Sequence, residues 1–419
     1  MMRQYRRIKG EMPEDVILFF RLGDFYEIFF DDAKAAAPVL DIALTKRNDM
    51  PMCGVPYHAL DGYLAKMMRA GLKVAICDQV EDPAASKGIV RREVTRVVTP
   101  GTVTEDSVLD AAQHNFLAGL CRVGNGFGIS MIDLSTGLFW GELLVSVDGL
   151  RDELRRFSPS ECVVPEAQAD DPELHRMLGE LAGLHVTTCE DWTFGYDAAY
   201  DYLTRHFSVH SLEGFGCEEC EPVVCAAGGV LHYVKADLRR QVGHVRSFQT
   251  RTPSEFLILD EATCSNLDLI PMRGRTGSTT LLNVLDATKT PMGARKLRDW
   301  ILRPLAELNG ITARHDAVDG LVQDRALLHN VRGAFGPVRD LARLIARIGA
   351  GSGNARDLVA VGQSLEALPE VRLLVSDHPS PLLSGLAELM PPMPELVTLI
   401  QESIHDEPPV SMKDGGIIR

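Results

Sequence analysis

No stretch of this 419-residue chain approaches the ~18 consecutive apolar residues of a membrane helix, so no membrane-spanning segment is expected. The N-terminal residues do not read as a secretory leader either. Arg3, Arg6, Arg7 and Lys9 are followed by Glu11, Glu14 and Asp15, and the apolar block after them is short. The nine cysteines are scattered without a dense framework, which predicts reduced thiols and a cytoplasmic protein. No Gly-Lys pair occurs anywhere, so there is no loop of the type that cradles β- and γ-phosphates beside a lysine. Neither an internal repeat nor a low-complexity tract is present. Positive charge is also in short supply. The formal net charge is −15, which argues against a nucleic-acid binder.

The distribution of charge softens that argument. Residues 1–104 carry 15 Lys and Arg against 14 Asp and Glu, so the acidity lies downstream. Between positions 86 and 97, Lys87, Arg91, Arg92 and Arg96 face only Glu93. Such a strip suits a phosphate footprint or, equally, a solvated strand edge.

The most informative stretch is Gly23-Asp24-Phe25-Tyr26-Glu27. Before it, Val16-Ile17-Leu18-Phe19-Phe20 has the length and residue types of a buried strand. After it, Tyr26, Phe29, Phe30, Ala33, Ala37 and Leu40 recur at helical spacing. Asp24 with Glu27 three residues on reads as a capping box, placing Phe25 and Glu27 in a first helical turn with free backbone N–H groups. If the motif is extended instead, its period of two puts both side chains on one face. An aromatic plate and a carboxylate are then presented together in either case. A core phenylalanine beside a capping glutamate is the plainer reading, and spacing alone favours it.

The remainder of residues 1–104 reads as mixed α/β. A helix is expected over 57–70 with Gly71 as its stop, and strands over 74–77 and 94–98. Residues 105–112 are acidic and short, and read as a linker. A second domain over 113–245 opens with an apolar strand and Asn125-Gly126, a two-residue hairpin signal. Strands over 127–133, 137–145 and 162–164 and helices over 150–157 and 198–207 complete it. Gly124, Gly126 and Gly128 fall in this hairpin rather than before a helix, which excludes a dinucleotide loop. Residues 246–419 are mainly helical, with Leu341, Leu344, Ile345 and Ile348 forming one apolar face.

Two further chemistries are open to these residues. Cys217 and Cys220 with Cys225 and His232 could be assembled into a zinc site, but only one Cys-x-x-Cys is present and the third cysteine is oddly spaced. Asp31, Asp32 and Asp133 could form a nuclease cluster, although the first two fit a solvated helix face. No metal and no catalytic residue are expected.

Several blocks, in one order, are similar to the bacterial MutS DNA mismatch repair family. They are Gly23 to Ala33, Leu40 to Arg47, Gly54 to His58, Ala75 to Gln79, Asp82 to Gly88 and Val98 to Thr102. The resemblance implies a multidomain α/β plus α fold: a mixed α/β mismatch-reading domain, a ribonuclease-H-like connector, and the start of a helical lever. It implies that Phe25 enters mispaired, kinked duplex DNA while Glu27 hydrogen-bonds the displaced base. Lys46, Arg47, His58, Lys87, Arg91 and Arg92 are candidates for backbone contacts, which position without specifying. The implied ligand is double-stranded DNA with mismatches or small loops, and a MutL-type partner would engage the connector. Family members bind ATP and Mg and dimerise through a C-terminal domain that this sequence does not match. The expectation is a truncated, non-enzymatic and mostly monomeric chain without a cofactor. The alternatives are a protein-interaction fragment and, less in keeping with the residues, a ribonuclease-H-like nuclease.

Overall fold

The apolar run predicted as a strand is β1 (Val16–Leu22), and helix α1 (Met2–Gly10) precedes it. A computed structural model describes residues 1–81, 90–252, 255–271, 279–409 and 415–419. They divide into two compact units. The first comprises Met1–Asp110, Asn115–Val242 and Ser247–Thr250, and the second Ala111–His114, Gly243–Arg246 and Arg251–Arg419.

In the first unit, β1 turns back into β2 (Phe25–Phe29) through Gly23 and Asp24, with Leu22 opposite Phe25. Gly23 lies at φ +60°, the left-handed geometry that a primed two-residue turn needs at its first central position. The capping-box expectation is therefore corrected. Phe25 and Glu27 lie in a strand, and helix α2 (Phe30–Leu40) begins only after them. β4 (Met50–Pro56) pairs with the other edge of β2, so the motif's backbone groups are taken up by two neighbouring strands. Strand pairing on both sides outweighs the local capping preference.

β3 (Thr45–Arg47), β5 (Lys73–Gln79) and β6 (Arg92–Val98) complete a six-stranded sheet in the order β3-β4-β2-β1-β5-β6. β1 and β5 are parallel. One face buries Ile17, Phe19, Tyr26, Ile28, Val55 and Ile76 against α2 and α3 (Leu60–Arg69). Each such side chain contributes roughly 1.5–3 kcal/mol when fully buried. Gly71, at φ +75°, ends the α3 segment as expected. On the opposite face, Tyr5 of α1 meets Phe20 and Phe29 edge-on, with centroids 5.5 and 5.0 Å apart. That covers the Phe29 end of β2 and leaves the Phe25 end open.

The second sheet of this unit runs β11-β10-β7-β8-β9-β12, formed by β7 (Leu117–Val123), β8 (Gly126–Asp133), β9 (Leu138–Leu144), β10 (Glu161–Pro165), β11 (His185–Cys189) and β12 (Gln249–Arg251). An antiparallel β7-β8-β9 meander is extended by β10 and β11, each parallel to its neighbour, which is the ribonuclease-H-like arrangement. Val123 pairs with Gly126, so the hairpin turn is Gly124-Asn125, one residue earlier than the Asn-Gly signal suggested. Gly124 carries the positive φ of +59° and sets that register. The helix Glu221–His232 lies so close to the sheet that a Cβ on Gly128 would stand 1.8 Å from the Pro222 carbonyl oxygen.

The buried carboxylate of Glu161, at the start of β10, ties the two sheets of this unit together. Oε2 accepts from Thr99 Oγ1 and from the Gly101 N–H at 3.3 Å, in the turn that follows β6. Oε1 accepts from Thr187 Oγ1 and from the Tyr233 hydroxyl, both at 2.8 Å. Four donors thus fill the four lone-pair sites of one carboxylate.

The second unit is mainly helical. Thr290 caps Pro291–Leu302, with proline at the first helical position, and Asn354 caps Ala355–Ser376 through a capping box. Arg295 binds Asp340 through two guanidinium nitrogens at 2.6 and 2.8 Å. In Leu341–Gly349, Leu344 is buried but Ile345 is 54% exposed, so the apolar face is narrower than its spacing suggested. No helix among the described residues is long and apolar enough to cross a membrane.

Candidate nucleic-acid interface

Alternation along β2 sorts the motif. Tyr26 and Ile28 point into the core, whereas Phe25 and Glu27 share the other face. Tyr26 is fixed further by its hydroxyl, which donates to Asp78 Oδ1 at 2.6 Å on β5. Burial, together with this bond to a carboxylate, raises the Tyr26 pKa well above its ordinary value. Tyr26 is therefore an anchor. Phe25 is 48% exposed, a ring at the start of a strand paired on both sides rather than packed in a core. Across from it lies Pro56, and across from Glu27 lies Gly54. The missing side chain at Gly54 keeps the face open beside Glu27, where a Cβ would sit 3.8 Å from Glu27 Cγ.

Glu27 is mostly shielded, its side chain 15% exposed, and Oε2 accepts from Arg47 Nη1 at 2.7 Å. Arg47 lies two strands away on β3 and reaches over β4 to make this ion pair. Lys46 is exposed on β3, and His58 is exposed in the short helical turn Tyr57–Ala59. Phe25, Glu27 and Arg47 thus lie on one face of the β2-β4-β3 strands, with Lys46 and His58 on elements next to β4 in the sheet or in the chain.

The second basic group does not form a free strip. Lys87 lies outside the described residues. Arg91 is exposed but paired with Glu93, and Arg96 meets Glu105 at 3.1 Å. Arg92 is not exposed as Arg91 is. It is buried, donating to the Arg21 and Val90 carbonyls at 2.6 and 2.8 Å with its guanidinium 5.1 Å from the Phe20 centroid. Burial lowers its pKa from the usual arginine range.

Arg21 and Tyr57 also belong to the site, although neither stands out in the sequence. Arg21 stacks its guanidinium 3.7 Å from the Tyr57 centroid, and Nε donates to the Gly23 carbonyl at 2.5 Å. The Tyr57 N–H donates to the Asp24 carbonyl at 2.9 Å, so both residues brace the turn in front of Phe25. An arginine two residues before the turn glycine was the available signal. It carried no meaning until β4 was placed beside β2.

The other candidate chemistries are not assembled. Asp31 is exposed and pairs with Lys34, while Asp32 accepts from the Leu18 N–H and Lys9, both at 3.0 Å. Asp133 is buried in the other sheet, accepting from the Ser135 N–H and hydroxyl. Cys225 and His232 share one helix, where seven residues amount to roughly 10 Å of axial rise. His232 packs against the rings of Trp192 and Tyr202. Among the described residues no group of three His, Cys, Asp or Glu could hold a metal ion.

Models of MutS domain I, MutS domain II and MutS domain III match residues 1–107, 115–246 and 262–419 in that order. The chain belongs to the MutS family. Similar relatives are the proteins named DNA mismatch repair protein MutS of Symbiobacterium thermophilum, 43% identical, of Myxococcus xanthus, 42%, and of Methanococcoides burtonii, 39%. Each match covers 100% of this chain and 49%, 48% and 48% of the relative respectively. The chain thus spans about half the length of these MutS relatives. The face that carries Phe25 and Glu27 lies within the part matched by domain I.

Proposed function

We propose that this chain recognises mispaired or looped bases in duplex DNA, with Phe25 as the wedge and Glu27 as the group that bonds the displaced base. The observation that carries the reading is the split of one tripeptide. Tyr26 is locked to Asp78 in the core, while Phe25 and Glu27 stand on the open face of a strand paired on both sides. A mispaired step is weakly stacked, so opening it costs less than the few kcal/mol required at a matched step. Stacking on the Phe25 ring returns ~1–3 kcal/mol per base. Kinking is cheapest where pairing is faulty, so the duplex is read through its deformability. Lys46 and His58 supply backbone contacts that position the duplex, and Arg47 joins them at a mispair. Residues 113–245 are the surface for a MutL-type partner, and residues 1–104, 113–245 and 246–419, with 105–112 as a linker, are the working domains of that activity. No cofactor is proposed for these residues, because the sequence contains no phosphate cradle. The chain acts as a mainly monomeric, cytoplasmic DNA-binding protein.

The test is titration of the purified chain with a G·T duplex and its matched twin at one salt concentration. Tighter binding to G·T is expected. Equal binding would favour a protein-interaction fragment instead.

A further inference from the structure

We infer that Arg47 is a charge latch on Glu27, released only when a displaced base takes its place. The inference rests on the mismatch-reading role proposed above. With the 2.7 Å ion pair closed, the carboxylate is neutralised and Arg47 is held to it rather than to a phosphate. Both groups share one face of the sheet and are joined over β4, beside Gly54, which carries no side chain.

A stacked, matched base offers no new donor to Glu27, and opening the latch would strand a carboxylate that is only 15% exposed. The latch then stays shut and matched duplex gains no contact from Arg47. At a mispair the displaced base donates to Glu27 and a nearby phosphate accepts Arg47. Each charge exchanges one partner for another, and no charge is left alone. Arg47 is 42% exposed, so its guanidinium is free to move outward. It therefore acts as a positioning residue that turns base recognition into one additional phosphate contact.

Counterion release makes this countable. Each phosphate neutralised steepens the slope of log K against log salt by about 0.9. The parent chain should show a slope steeper by about 0.9 on G·T than on matched duplex, equivalent to about 3.5-fold between about 50 and about 200 mM salt. Glu27→Gln opens the latch permanently, so matched duplex should bind more tightly, with a slope steeper by about 0.9. Arg47→Gln should flatten the G·T slope by the same amount and leave the matched slope alone. Thermal unfolding of both variants checks that they fold.

Equal parent slopes on the two duplexes would overturn the latch. So would an Arg47→Gln chain that flattens both slopes alike, since Arg47 would then be an ordinary phosphate contact. The underlying reading fails separately. If Phe25→Ala keeps its preference for G·T, the wedge is wrong whatever the slopes show.

Discussion

The Tyr26 hydroxyl reaches from β2 across β1 to bond Asp78 on β5 at 2.6 Å, and Thr95 Oγ1 holds the other carboxylate oxygen at 3.2 Å. This bond decides which face of the motif is core and which is free.

Tyr26→Phe should cost about 1–2 kcal/mol in urea unfolding at neutral pH, the range for a hydrogen bond to a charged group that retains some water. Its pH signature follows from the direction of the shift. The folded pKa of Tyr26 is raised above the unfolded value of about 10, so its contribution is complete below about pH 10 and is lost as pH climbs further. The variant should lose less stability than the parent above that pH. Parallel alkaline curves for the two chains would remove the bond from the account.

Glu161→Ala should destabilise the first unit by ~3–5 kcal/mol, because it leaves donors from Thr99, Gly101, Thr187 and Tyr233 buried without an acceptor. Glu161→Gln should fall between the two, since its amide nitrogen meets donors where an oxygen stood. Chemical denaturation followed by tryptophan fluorescence measures both. A cost below about 1 kcal/mol for the alanine variant would mean the joint is held elsewhere.

In the second unit, burial pushes the Asp340 carboxyl up, and the bonds from Arg295 outweigh it, holding the group below the ordinary carboxylate range. A depressed carboxylate stabilises above its unfolded pKa of about 3.9 and loses that contribution as pH falls through the lower folded value. Asp340→Asn should therefore cost ~3–5 kcal/mol at neutral pH and less at a pH below the unfolded value of about 3.9. Thermal melts at the two pH values test this, and an equal deficit at both would contradict it.

Local patterns in the sequence were reliable where one residue dictates the backbone. Gly71 stopped a helix where expected, and the block beginning at Val16 was a strand. They failed where partners distant in sequence decide. Asp24 and Glu27 satisfy a capping pattern, yet β4, arriving from residues 50–56, draws the segment into a sheet. Asn125-Gly126 promised a turn, but Gly124 took the left-handed position and shifted the register by one. At the site, Phe25 and Glu27 were visible as a pair. The burial of Arg92 and the Arg47–Glu27 contact depend on elements up to 71 residues apart, and charge counting along the chain cannot see them.

The central claim is that the Phe25 ring supplies the mismatch preference on which every charged contact at the mispair depends. Its most direct test is the ratio of G·T to matched affinity in Phe25→Ala beside the parent, at one salt concentration and with melting temperatures measured in parallel. Because the ring is 48% exposed, its loss should cost well below the ~3–5 kcal/mol of a core phenylalanine, so the variant should stay folded. The account predicts a ratio near one, with weak and salt-sensitive binding to both duplexes. A parent-like ratio in a folded variant would contradict it.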